Sequence, residues 1–285
     1  MRDRGCIWLI GGTQESQQIA RAIAQAHLPC IITVTTESAR SLYANTIEML
    51  PKTSIWVWVG RLNPDTVGQF LQEHNIRCIL DASHPFAVEV SQMAITASVQ
   101  STIPYLRYER PEVERGQWNG GSGREREMGL TPHPANLSPH FPRYLDSFEA
   151  LLASNILQQQ RVLLTVGYRP LALFCPWQEQ ATLFARILPS VTAVEAALAA
   201  RFTSDRLIAI RPPISVELER SLWQQWQISM VVTKASGTIG GEDVKRQIAA
   251  ELGVTLVTIA RPPIPYPQQT SELQAVLAFC KSHLL

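Results

Sequence analysis

Four short clusters hold the residues whose types and spacing suit chemistry, and each follows an apolar run. They are Gly11-Gly12-Thr13-Gln14-Glu15-Ser16, Asp81-Ala82-Ser83-His84-Pro85, Gly167-Tyr168-Arg169-Pro170 and Lys234-Ala235-Ser236-Gly237-Thr238-Ile239-Gly240-Gly241. The first, inside "CIWLIGGTQESQQIA", joins a strand-like run to a helix-like pattern. A glycine turn at the mouth of a helix leaves backbone N–H groups pointing outward, and with the positive end of the helix dipole they favour an anion such as phosphate. The other reading is a tight strand-to-helix turn and nothing more. His84 has the side chain that titrates near neutrality, which suits proton transfer, and equally suits capping the turn or bonding the backbone. The last cluster is richest in donors, with Lys234, Ser236 and Thr238 among glycines that permit close backbone approach.

The surrounding pattern supplies elements to position these clusters. Ile7–Ile10, Cys30–Thr35, Ser54–Val59 and Cys78–Leu80 read as strands, and Glu15–Ala26, Pro64–His74 and Val88–Ser98 carry apolar residues at helical spacing. This βαβ series predicts an α/β fold with a parallel sheet covered on both faces. From 110 to 143, "NGGSGRERE" and "TPHPANLSPHFP" break the periodicity and read as a flexible insertion. Beyond it come a helix at Ser147–Leu157, strands at Arg161–Val166, Ala181–Ile187, Leu207–Ile210 and Met230–Thr233, and a final helix at Ser271–His283. The halves resemble each other: "WLIGGTQE" is answered by "LLTVGYRP" and "LDASHPFA" by "VTKASGTIGG". The spacing agrees, with 70 residues from Gly12 to Ala82 and 68 from Gly167 to Ala235.

Composition bounds the class. A chain of 285 residues, 46% hydrophobic and 17% charged, has material for two domains of roughly 100–200 residues each. A formal net charge of +1 gives no global attraction to nucleic acid or anionic lipid, so an anionic ligand must be held by locally placed groups. Cys6, Cys30, Cys78, Cys175 and Cys280 are scattered without metal-ligand spacing and read as reduced, mostly buried thiols, so no metal site is expected. No apolar stretch approaches the ~18 residues of a membrane span. The expectation is a cytoplasmic protein with no nucleic-acid or membrane partner, its oligomeric state left open.

The ordered set "GGTQES", "DASHPFA", "IPYLRYERP" and "VTKASGTIGGEDVKRQIAAELGVTLVTIARP" resembles the precorrin-6A reductase family, including its cobalt-precorrin-6A reductase members of the anaerobic cobalamin pathway. The resemblance spans nearly the whole chain except 110–143. It implies two Rossmann-like open parallel-sheet domains in tandem with a cleft between them. Residues 1–106 would bind the cofactor, 107–146 form the insertion or linker, and 147–285 bind substrate, with the last helix free to pack back on the first domain. The implied activity is that of an NAD(P)H-dependent oxidoreductase, which saturates one ring double bond of precorrin-6A or cobalt-precorrin-6A, a methylated, ring-contracted tetrapyrrole.

Under that resemblance, cofactor binding falls to Gly11, Gly12, Thr13, Glu15, Thr35, Thr36, Arg40 and Ser83. Thr13 would donate to a phosphate oxygen and Glu15 support the first helical turn. After the second strand, hydroxyls at Thr35 and Thr36 and the nearby Arg40 favour NADPH over NADH, although Glu37 pulls the other way and an ordinary solvated Arg/Glu pair is the alternative. Substrate binding falls to His84, Tyr168, Arg169, Lys234, Ser236, Gly237 and Thr238, with His84, Lys234 and Tyr168 as catalytic candidates. Arg107, Arg110 and Arg261 are further candidates for a polyanion, whereas Lys245 is expected to face solvent. Two other classes stay open: a methyltransferase using S-adenosylmethionine, which an acidic residue at the end of the second strand would favour, and a nucleotide-sensing module without catalysis.

Overall fold

The computed structural model describes residues 5–49, 55–111 and 143–284. The chain divides into two units, one running to Pro111 and resuming at Pro262, the other ending at Arg261.

The first unit contains β1 (Cys6–Ile10), α1 (Gln14–Gln25), β2 (Cys30–Val34), α2 (Glu37–Arg40), α3 (Ala44–Met49), β3 (Ile55–Val59), α4 (Pro64–Glu73), β4 (Ile76–Asp81), α5 (Val88–Ser101) and β5 (Tyr105–Tyr108). It is completed by β12 (Gln269–Thr270) and α10 (Leu273–Leu284). Its parallel sheet has the order β12-β5-β4-β1-β2-β3. Central β1 is buried along its whole length, which explains its unbroken apolar run. Alternate side chains serve opposite layers: Ile7 and Leu9 join Ile19, Ile23, Ile32 and Leu80, whereas Trp8 and Ile10 join Val67, Phe70, Ile79 and Tyr105. Val276, Phe279 and Cys280 of α10 pack into the first layer. The final helix therefore belongs to this unit.

The second unit contains β6 (Arg143–Leu145), α6 (Phe148–Ala153), β7 (Arg161–Leu164), β8 (Thr182–Ile187), α7 (Val191–Ala199), β9 (Leu207–Ala209), α8 (Val216–Gln225), β10 (Met230–Lys234), α9 (Glu242–Leu252) and β11 (Thr255–Ile259). Its parallel sheet has the order β6-β11-β10-β7-β8-β9. The two sheets therefore share one winding, and their sixth strands are exchanged. The stretch after β5 supplies β6 to the second sheet, and the stretch after β11 supplies β12 to the first.

The sequence pattern and the structure differ at particular places. The helix expected over Ser147–Leu157 stops at Ala153, because Asn155 and Gln159 take positive φ and turn the chain toward β7. A 3-10 segment, Arg169–Trp177, stands where the first unit has α1; Pro170 opens it, and Pro176 within it lacks an amide to donate. The expected insertion at 110–143 lies almost wholly outside the described residues, as does Ser54. Among the described residues, no helix is long and apolar enough to cross a membrane.

Candidate functional site

In the first unit the turn after β1 is tied down from within. Thr13 caps α1 by accepting from the Ser16 amide, and the Thr13 amide donates back to Ser16 Oγ at 3.0 Å. The Gly11 amide reaches Thr33 O, and the Gly12 amide donates to the Tyr43 hydroxyl at 2.8 Å. Gly12 has φ +100°, and a Cβ built there would meet no atom within 4 Å. Among the described residues, the amides of Gln14 and Glu15 bond to no carbonyl or side-chain acceptor, as is usual for the first amides of a helix.

Two expected roles at this turn need correction. The Thr13 hydroxyl donates to Ala82 O at 2.9 Å, linking the turn after β1 to the end of β4, so its proton is spent within the protein. Glu15 does occupy the first helical turn, but it is buried there and paired with Arg110, Nε to Oε1 at 2.6 Å. That ion pair holds both side chains in the interior, Glu15 and Arg110 each being buried.

At the end of β4, Asp81 is fully buried and accepts four hydrogen bonds. Oδ1 takes the Ser83 amide and Arg107 Nη1, each at 2.9 Å; Oδ2 takes Ser91 Oγ at 2.6 Å and the Tyr105 hydroxyl at 2.7 Å. Arg107 also donates to Ser83 Oγ and Glu109, and stacks over Tyr266. Burial alone would pull the Arg107 pKa down, but the charges of Asp81 and Glu109 hold it above its ordinary value. Arg107 is thus a structural cation, not a ligand for a polyanion, and Ser83 lies inside the same network. What the turn presents outward is His84, which is exposed. Its Nδ1 accepts from the Phe86 amide at 3.2 Å, so the neutral ring carries its proton on Nε2.

Beyond β2, Thr35, Thr36 and Arg40 are all exposed. Thr36 caps α2 through the Ala39 amide, and Arg40 lies 3.6 Å from Glu37.

The second unit assembles a different set. Gly167 repeats the Gly12 geometry, with φ +76° and open space where a side chain would project, no atom lying within 4 Å of a Cβ at that position. Tyr168 is half-buried and Arg169 exposed. Lys234 closes β10 with its ammonium 6.0 Å from the Phe148 ring centre. Burial first, and then the neighbouring Arg169 charge, lower its pKa to about 8. In the loop that follows, Ser236 and Gly237 are buried while Thr238 and Ile239 are exposed. A side chain at Gly240 would collide with Ser236 Oγ.

That loop is braced by residues that sequence reasoning missed or misplaced. Glu242, buried, accepts from the Gly237 amide at 3.1 Å, from Tyr144 and from Arg246. Lys245, expected to face solvent, is buried and donates to the carbonyls of Gly240 and Gly241, each at 3.0 Å. Burial lowers its pKa to about 8. The signal was present in spacing, since Lys245 lies three and four residues before buried Ile248 and Ala249 on α9. Arg261 Nε donates to Ala235 O and so also serves the loop.

Comparison with known proteins bears on both units together. The family model described as precorrin-6x reductase CbiJ/CobK matches residues 6–281. A cobalt-precorrin-6A reductase of Synechocystis sp. is 41% identical over 278 residues, covering 98% of this chain and 97% of the relative. A cobalt-precorrin-6A reductase of Priestia megaterium is 30% identical over 275 residues, covering 95% and 96%. Among solved structures, a CobK precorrin-6A reductase matches with a TM-score of 0.70 at 19% identity, covering 98% of this chain and 97% of that one, a likeness of fold.

Proposed function

The chain belongs to the precorrin-6x reductase family, and from that premise we propose that its first unit binds NADPH at the Gly11–Ser16 turn while its second unit holds the carboxylates of cobalt-precorrin-6A. It is an oxidoreductase that reduces a ring double bond of a corrin intermediate in cobalamin biosynthesis. Neither the methyltransferase nor the non-catalytic alternative is favoured by these matches.

One observation carries the cofactor assignment: Gly12 at positive φ with open space above it, followed by two unspent amides at the mouth of a twelve-residue helix. The residues present suit a dinucleotide phosphate. When bound, the reduced nicotinamide supplies the hydride for the ring carbon. The Gln14 and Glu15 amides hold the phosphate, and Gly12 leaves it room. Exposed Thr35, Thr36 and Arg40 lie where an adenosine ribose and its 2′-phosphate are read in such sheets. His84 keeps a proton at Nε2 on the outer side of the β4 turn. In the second unit, Arg169, Lys234 and Thr238 supply cations and a hydroxyl for carboxylates, with Tyr168 beside them. A chain of net charge +1 depends on such local cations to recognise a polyanion.

A thermal-shift comparison of NADPH, NADH and S-adenosylmethionine tests the cofactor. NADPH is expected to give the largest rise, and a larger rise with S-adenosylmethionine would overturn the assignment. Substrate-dependent oxidation of NADPH, measured with cobalt-bearing and cobalt-free precorrin-6A, tests the substrate.

A further inference from the structure

We propose that Tyr43 is a positioning residue for the nicotinamide cofactor: its hydroxyl locks the Gly11–Ser16 turn to the segment after β2 and directs the phosphate to the Gln14 and Glu15 amides, not to that of Gly12. The inference rests on the assignment of the cofactor to the first unit. Tyr43 is fully buried in the 3-10 turn between α2 and α3. Its hydroxyl lies 2.8 Å from the Gly12 amide and 2.6 Å from Ser16 Oγ, and Ser16 Oγ lies 2.7 Å from Thr13 O. Because the Gly12 amide can only donate, and because the single Ser16 proton is given to the Thr13 carbonyl, which can only accept, the chain of protons has one direction. Gly12 N–H gives to the Tyr43 oxygen, Tyr43 O–H to Ser16 Oγ, and Ser16 O–H to the Thr13 carbonyl. Gln17 Nε2 adds a second tie to the same segment, donating to Leu42 O at 2.6 Å.

The two adjacent glycines then have separate reasons. A side chain at Gly11 would run into the Tyr43 hydroxyl and Ile32 Cγ2, so Gly11 admits the tyrosine; a side chain at Gly12 would meet nothing, so Gly12 admits the ligand. The second unit has Val166, buried, before Gly167, where the first unit has Gly11. The hydroxyl chain also joins the phosphate turn to the Thr35–Arg40 stretch, because Tyr43 lies three residues beyond Arg40 in the 3-10 turn that continues it. A phosphate contact and a ribose contact are thereby held in fixed register.

Tyr43→Phe keeps the ring and removes the oxygen. The expected result, with circular dichroism unchanged, is about a tenfold rise in the NADPH Kd measured by cofactor fluorescence, a matching rise in its KM, and kcat and substrate KM within about threefold of wild type. Ser16→Ala interrupts the same chain from the other side and is expected to shift the Kd in the same direction by about threefold. Gly12→Val serves as the reference. If Gly12→Val loses NADPH while both folded hydroxyl variants bind it as wild type does, the positioning role is wrong and the cofactor assignment stands. If Gly12→Val also binds normally, the assignment falls and the inference with it. A loss in kcat and substrate KM as large as that in NADPH Kd would mark Tyr43 as a general packing residue and overturn the proposal.

Discussion

The last strand before the candidate loop ends in Asp81 in the first unit and in Lys234 in the second, at equivalent points of the same winding. On the neighbouring strand, Asp81 is in register with Arg107, and Lys234 is in register with Ile259. The acid is neutralised inside the protein by an adjacent arginine. The lysine instead meets a second cation, Arg169, which helps to lower its pKa to about 8. The turns after β1 and β7 diverge in parallel. One leads into a capped α-helix of 12 residues, the other into a 3-10 segment interrupted by proline. A single frame has thus been specialised in two directions: one half offers backbone amides and an internally balanced charge network, the other offers side-chain cations. Backbone amides suit a phosphate whose position must be fixed, and cations suit the several carboxylates of a large substrate.

The largest effect expected from breaking this contrast is on stability. Asp81→Ala leaves Arg107 buried without its principal partner and is expected to cost about 3–5 kcal/mol in chemical denaturation, whereas Lys234→Ala should cost under about 1 kcal/mol. Comparable losses would mean that the two strand ends do the same job. Next, Gly12→Val should weaken NADPH binding by roughly a hundredfold or more, since the side chain both strains a positive φ and fills the ligand space. Gly167→Val should leave NADPH affinity within about threefold; titration of both variants would show whether the halves are in fact interchangeable.

Lys234→Ala should lower kcat/KM for the tetrapyrrole by about ten- to a hundredfold, the worth of a charge-assisted hydrogen bond of roughly 1.5–3 kcal/mol, with NADPH Kd unchanged. Because a lysine binds an anion as its ammonium form, kcat/KM should also fall as pH rises through about 8, and that limb should vanish in the variant. An NADPH defect in Lys234→Ala would reverse the assignment of the halves. The smallest change is expected from Arg40→Ala, which should narrow the preference for NADPH over NADH by a few-fold, in keeping with an exposed side chain near Glu37. Equal Kd values for the two cofactors in the wild type would remove the basis for a 2′-phosphate contact.

Much of this architecture was legible in the chain. Apolar runs gave β1, β2, β7, β8 and β10 to within a residue or two, and the repeated motifs marked the common winding, because buried parallel strands and glycine turns leave local signatures. The exchanged sixth strands did not, since segments as short as Gln269–Thr270 and Arg143–Leu145 carry no period. Among the candidate residues, Gly12, His84, Thr238 and Arg169 are exposed, as their places after strand ends lead one to expect. The errors fell on buried charges. Glu15 and Arg110, and Asp81 and Arg107, meet across long intervals of sequence, and no local pattern announces which arginine a carboxylate will find. Tyr43 was missed for a related reason: it sits in a three-residue 3-10 turn without periodicity, and its partners belong to another element.

The exchange of sixth strands also sets the order in which the molecule can be finished. When β5 leaves the ribosome, its sheet still lacks β12 and the apolar face of α10, and roughly 160 further residues must be added before they appear. At about 5–20 residues per second that wait is on the order of ten to thirty seconds. The half that is made first is therefore the half sealed last, by Val276, Phe279 and Cys280 closing over Ile7, Leu9 and Leu80. A stop before α10 thus leaves the first unit unsealed, although every one of its glycine-turn residues has already been made.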